Sequence, residues 1–195
     1  MGTGTSTGKQ QRRGNTRQRI QDVALELFAE QGYEKTSLRE ISERLEVTKA
    51  ALYYHFKTKE DILVSLFENL TTPIDELIAW AKEQPRSLET KQEVLRRYNV
   101  IFTKATPLFR FMHENQATIR DLSIGESFKQ RVIGMVNVLR DPDSPLTAQV
   151  RCFSALTTIH GGAIALRDAE GDLEEKQGAT LEVAMELVTR AHEES

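Results

Sequence analysis

The sequence predicts an all-α fold: an N-terminal three-helix helix-turn-helix domain followed by a larger helical C-terminal domain, about nine helices in all. Three observations predict it. From Thr16 onwards apolar residues recur at helical spacing almost throughout, with no convincing alternating strand and no internal repeat. Pairs that start helices punctuate this pattern: Ser37 with Glu40, Thr58 with Asp61, Thr106 with Pro107, Asp172 with Glu175. Two short helical segments near the N-terminus flank the tight turn "LEVT".

Residues 1–15, "MGTGTSTGKQQRRGN", have no apolar side chain after Met1 and are expected to form a disordered basic tail. The first helix is predicted over Thr16 to Gln31, with Ile20, Val23, Ala24, Leu27 and Phe28 on one face and Gly32 as a left-handed cap. Ser37 opens a short second helix facing inward through Leu38, Ile41 and Leu45. Thr48 caps a third, Lys49 to Phe56. A long fourth helix follows, interrupted by Pro73, where a kink or break near Thr72 is expected. "EQPRS" is a linker, and helices are predicted over about 88–105, from Thr106-Pro107, over about 126–140, from Ser144-Pro145 to about 169, and from Asp172 to the C-terminus. The organisation expected is a tail over 1–15, a helix-turn-helix domain over 16–62, and a helical domain over 63–195.

The chain has 195 residues and a net charge of -3. Residues 1–60 hold 11 basic against 8 acidic side chains, which leaves 15 basic and 21 acidic for the remainder. A basic front on an acidic body points to a polyanion for the front. No apolar run is long enough to span a membrane and no secretory leader is visible. The single cysteine, Cys152, cannot form an internal disulfide, which fits a reducing cytoplasm. The four histidines are scattered, and neither a metal-ligand cluster, a phosphate loop nor paired acids stand out. No enzyme activity, cofactor or metal is expected.

The stretch "TKAALYYHFKTKEDIL" asks why a small helix carries so many long hydrogen-bond donors. Leu38, Ile41, Leu45, Val47, Leu52 and Phe56 are spaced to form a small core against the first helix. That leaves Thr48, Lys49, Ala50, Tyr53, Tyr54 and His55 on the outer face of the third. A helix so presented is suited to the major groove of duplex DNA. Lys49 suits guanine and Ala50 a thymine methyl, whereas Tyr53, Tyr54, His55, Lys57 and Lys59 suit phosphate oxygens. The bland alternative is a helical hairpin whose Tyr and His residues cover the core.

"ALELFAEQGYEKTSLREISERLEVTKAALYYHFKTKEDIL" resembles the DNA-binding domain of the TetR family of bacterial transcription regulators over about residues 16–65. The resemblance implies DNA-facing roles for Ser37, Thr48, Lys49, Ala50, Tyr53, Tyr54, His55 and Lys59. Two departures stand out. Glu46 occupies a turn position where the family often has glycine, and Ala50 replaces a frequent glycine in the recognition helix.

In the TetR-like picture the C-terminal domain binds a small molecule and dimerises. Phe109, Met112, His113 and Gln116 lie near one another at helical spacing in "PLFRFMHENQ", and Phe102 and Met135 can approach them. Aromatic and methionine side chains with a few polar groups are the usual lining of a ligand pocket, and ordinary core is the alternative. Gly161 and Gly162, with Ala165, suit a close helix crossing at a dimer interface, or else a local kink. The resemblance implies that the last two helices form a four-helix bundle with a second copy. The reading is a sequence-specific DNA-binding transcriptional regulator, a homodimeric repressor released from a palindromic operator by a small-molecule effector. The alternative is a ligand-independent regulator controlled by a protein partner.

Overall fold

The computed structural model describes residues 6–115, 124–166 and 168–195, and for residues 6–15, His113, Ile124, Ala163 and Ile164 it describes the backbone alone. Among the described residues the chain forms nine helices and no strand. They are α1 Ser6–Gln31, α2 Leu38–Arg44, α3 Lys49–His55, α4 Lys59–Lys82, α5 Leu88–Lys104, α6 Thr106–Glu114, α7 Ile124–Leu139, α8 Leu146–Ala165 and α9 Leu173–Glu193. None of them is long and apolar enough to cross a membrane.

The helices sort into two compact units, one comprising Met1–Glu68 with Phe111–Thr118, the other Asn69–Arg110 with Ile119–Ser195. In the first, α1 to α3 and the start of α4 bury Ile20, Phe28, Ile41, Leu52, Phe56 and Ile62. Phe111, from the far end of α6, completes this core, with its ring centroid 5.5 Å from Phe28 and 6.2 Å from Tyr33. The buried Gln21, Ser65 and Thr36 side chains are hydrogen-bonded. Gln21 donates to the Ser65 hydroxyl at 2.7 Å, and Ser65 donates to the Ile62 carbonyl at 2.8 Å. The Thr36 hydroxyl caps the end of α1 through the Gly32 carbonyl at 2.9 Å, and Gly32 takes the left-handed φ of 90° that its position requires.

In the second unit α8 packs along α9, and α9 against α5. The core holds Ile74, Leu95, Tyr98, Met135, Leu156 and Val188. A buried lysine is paired rather than stranded: Lys91 Nζ lies 2.5 Å from the Asp141 carboxylate and 3.1 Å from His192 Nδ1. Burial acts to raise the Asp141 carboxyl, but the hydrogen bond and charge of Lys91, with help from His192, hold it below the usual carboxylate range.

Two helices differ in extent from the sequence expectation. The first helix begins at Ser6, inside the stretch expected to be disordered. Gln10, Gln11, Arg12 and Arg13 are good helix formers, and extending an anchored helix costs far less than nucleating one. The fourth helix runs through Pro73 without a break. Proline removes one donor to the carbonyl of Asn69, and the apolar face formed by Leu70, Ile74 and Leu77 carries the helix across.

Candidate nucleic-acid interface

The geometry of α3 follows from its caps and its brace. Thr48 accepts a hydrogen bond from the Ala51 N–H at 3.2 Å, fixing the start of the helix. Leu52 and Phe56 are buried and hold one face inward. Thr48, Lys49, Ala50, Tyr53 and Tyr54 are exposed and His55 is half-buried. Tyr54 is 64% exposed, high for so large a ring, and stands edge-on to His55 at 5.2 Å. One face of a short, rigidly capped helix therefore offers an ammonium, two phenols and an imidazole to solvent.

Arg17 anchors the other end of α3, and sequence reasoning missed it. Its guanidinium lies 4.3 Å above the Phe56 ring and donates to the His55 carbonyl at 3.4 Å. Its partners are 38 and 39 positions away in the chain, so no local pattern signals the contact.

The turn between α2 and α3 is a complete left-handed helix stop. The Val47 N–H donates to the Ser42 carbonyl and the Glu46 N–H to the Glu43 carbonyl, both at 3.1 Å. Glu46 sits in this turn with φ 55°, the conformation that favours glycine.

The remaining predicted contacts divide. Ser37 belongs to a capping box, with its backbone N–H 2.8 Å and its hydroxyl 2.7 Å from the Glu40 carboxylate. Those hydrogen bonds from the Ser37 hydroxyl and backbone hold the Glu40 carboxyl below the usual range. Lys57 is exposed at the C-terminal end of α3, with Nζ donating to the Tyr53 carbonyl at 2.7 Å. Lys59 is committed to the fold. Its ammonium donates to the carbonyls of Tyr33 at 2.7 Å and Glu34 at 3.2 Å and lies 4.2 Å above the Tyr33 ring. Burial first, then Glu60 and Glu34, push the Tyr33 phenol up to about 12. Lys59 thus pins the turn between α1 and α2 to the start of α4.

The proposed ligand contacts fall in both units. Phe102 and Phe109 stack with centroids 4.5 Å apart in the second unit, and Met135 is fully buried there. Met112 belongs to the first unit. Gln116 and the side chain of His113 lie outside the described residues. The structure adds three side chains around Phe102: Tyr98, Phe128 and His160.

The small-residue cluster on α8 has two faces. A Cβ on Gly162 would meet Thr180 Cγ2 at 2.2 Å, so Gly162 allows α9 of the same chain to approach. This contact within one chain is the physical reason to remove Gly162 from the proposed dimer interface. Gly161 has open space beside it and Ala165 is exposed. They continue an exposed stripe of Leu146, Val150, Phe153 and Thr157 that the sequence reading did not single out. The signal was present, because α8 is apolar on more faces than one chain can bury.

A braced, outward-facing second helix after a short first helix and a tight turn defines a helix-turn-helix protein. The sequence profile of bacterial regulatory proteins of the tetR family matches residues 20–66. That match covers the helix-turn-helix segment and less than half of the chain. The chain is similar to the HTH-type transcriptional regulator AcrR of Shigella flexneri, at 48% identity over 62 residues, covering 32% of this chain and 29% of that protein. It is also similar to the HTH-type transcriptional regulator QacR of Staphylococcus aureus, at 38% identity over 85 residues and 44% of each chain. The match therefore spans less than half the length of these relatives. A solved transcriptional regulator from Aquifex aeolicus shares the fold, with a TM-score of 0.66 at 24% identity over 86% of this chain and 96% of that one.

Proposed function

We propose that the chain is a sequence-specific DNA-binding transcriptional regulator of the cytoplasm: a homodimeric repressor that leaves a palindromic operator when a small ligand binds its C-terminal unit. One observation carries the DNA-binding part. The outer face of α3 is polar, donor-rich and exposed, while its inner face and both ends are fixed by Leu52, Phe56, Thr48 and Arg17. Lys49 and Ala50 are the proposed base readers, and Tyr53, Tyr54, His55 and Lys57 the proposed phosphate contacts. Thr48 and Ser37 act through the helix starts they cap, whose N–H groups favour anions. Pairing of two copies is supported by the exposed apolar stripe on α8, with Phe153 49% exposed, and by Val183 on α9.

The test is selection of bound sequences from a random duplex library, followed by titration of the selected duplex across salt concentrations. Enrichment of an inverted repeat is expected, and Lys49→Ala should relax the preference at one base position by about 1–3 kcal/mol. Binding to selected and random duplexes with equal affinity at low salt would overturn the reading. Phe153→Asp should convert the dimer to a monomer in sedimentation, and an unchanged mass would remove this stripe from the interface.

A further inference from the structure

The second unit contains an aromatic cluster with one polar pair inside it. Phe102 lies between two near-parallel rings, Phe109 at 4.5 Å and His160 at 4.4 Å. Phe128 stands across all three, 5.7 to 6.2 Å from their centroids. Tyr98 closes the back, 4.6 Å from Phe102, and its hydroxyl bonds His160 Nε2. Tyr98 and Phe102 are buried, whereas Phe109, Phe128 and His160 each keep accessible surface. The three-ring cluster of the first unit, Phe28, Tyr33 and Phe111, is by contrast buried throughout.

Hydrogen-bond arithmetic then assigns roles within the pair. Among the described residues the Tyr98 hydroxyl has His160 as its hydrogen-bond partner and no other. If the hydroxyl donates to Nε2, no buried O–H is stranded. A neutral imidazole accepting at Nε2 carries its hydrogen on Nδ1. The half-buried ring therefore keeps one N–H donor, and Tyr98 is the positioning residue that fixes the tautomer.

We propose that this cluster is the recognition subsite for an uncharged aromatic effector bearing a hydrogen-bond acceptor such as a ketone, which stacks on the accessible rings and accepts from His160 Nδ1. The assignment rests on the reading that the second unit takes an effector. It extends that reading to the effector's chemistry. Burial pushes His160 down to about 4 and Tyr98 upward, so both are neutral at pH 7 and neither offers a charge to an anion. A carboxylate placed here would lose its hydration without gaining a counter-charge from the pair.

Three naphthalenes test this by calorimetry on the full chain at pH 7 without DNA. 2-Acetylnaphthalene should bind about tenfold more tightly than 2-ethylnaphthalene, the isostere without an acceptor, and 2-naphthoate should bind weakest. His160→Phe should erase the difference between the first two, and a far-ultraviolet circular dichroism spectrum matching the parent's shows that the variant is folded. On the unmodified chain, the Nδ1 nitrogen resonance of His160 should move with the ketone and not with the hydrocarbon. Equal binding of ketone and hydrocarbon, tightest binding of the naphthoate, an unmoved Nδ1 resonance, or no binding of any probe would each overturn the proposal. Selective binding to a duplex is measured separately, so loss of the subsite leaves the regulator reading standing, and loss of DNA binding leaves the subsite standing.

Discussion

The two units each contain a cluster of aromatic rings, and the clusters differ in closure. In the N-terminal unit Phe28, Tyr33 and Phe111 are buried and surrounded by polar groups that hold turns in place, among them Lys59 and Thr36. In the C-terminal unit three rings stay partly open and a Tyr–His pair lies among them. A closed cluster fixes the geometry of something else, in this case the exposed face of α3. An open, polar cluster keeps surface of its own. The same residue types thus serve support in one region and, as proposed above, recognition in the other, and the polar neighbours tell the two apart.

The largest expected effect falls on the closed cluster. Phe111 comes from α6, distant in sequence from the rings it joins, and is fully buried. Phe111→Ala should cost the N-terminal unit about 3–5 kcal/mol, the usual loss for a buried phenylalanine. Hydrogen exchange of the α1 to α3 amides reads this directly. Exchange unchanged from the parent chain would show that the cluster is not one core.

Next in size is the pH response of the open cluster. His160 titrates at about 4 when folded, against an ordinary value of 6.5. Because the unfolded chain takes up this proton first, His160 leaves stability intact above about pH 6.5 and lowers it as pH falls towards about 4, by roughly 3 kcal/mol in total. Urea unfolding at several pH values measures the slope, and His160→Phe should flatten it. A parent chain with no slope between these limits would place His160 in water rather than in the cluster. Asp141, held low by Lys91, adds a separate loss only below about pH 4.

A third prediction concerns how helices approach in the C-terminal unit. Gly162→Ala introduces a Cβ that would overlap Thr180 Cγ2, and should cost about 1–3 kcal/mol by overpacking. Thr180→Ser removes that methyl and should restore part of the loss. Gly161→Ala has open space beside it in the single chain and should be neutral or stabilising there. Equal losses at the two glycines would contradict the division of this pair between an internal crossing and an outward face.

The regions also differ in how much the sequence disclosed. Helix starts at Ser37, Thr48, Thr58 and Asp172 were legible because a cap is a local event, decided within four residues. The outer face of α3 was legible for the same reason, since a seven-residue helix with Leu52 buried has little choice of orientation. The brace was not, because Arg17 and Phe111 reach partners far along the chain. The carbonyl contacts of Lys59 were not legible either, since a lysine beside a helix start looks the same whether it meets water or two carbonyls. In the C-terminal unit the approach of Phe102 to Phe109 was anticipated, but His160 came from another helix and carried no pattern that tied it to Tyr98.

The smallest effect tests the turn that sets the angle of α3. Glu46 takes a left-handed conformation that costs a residue with a Cβ about 1–2 kcal/mol. Glycine removes that cost but gives back part of it through the extra freedom of the unfolded chain, so Glu46→Gly should stabilise by about 0.5–1 kcal/mol. Both carbonyls of Ser42 and Glu43 keep their backbone partners in the variant, so α3 should hold its place and its DNA affinity. Glu46→Ala separates backbone strain from charge, because alanine keeps the Cβ and loses the carboxylate. Urea midpoints should rise for glycine and not for alanine. A rise for both would trace the effect to the acidic side chain, and a fall for glycine would mean that Glu46 makes a contact worth more than the strain it carries.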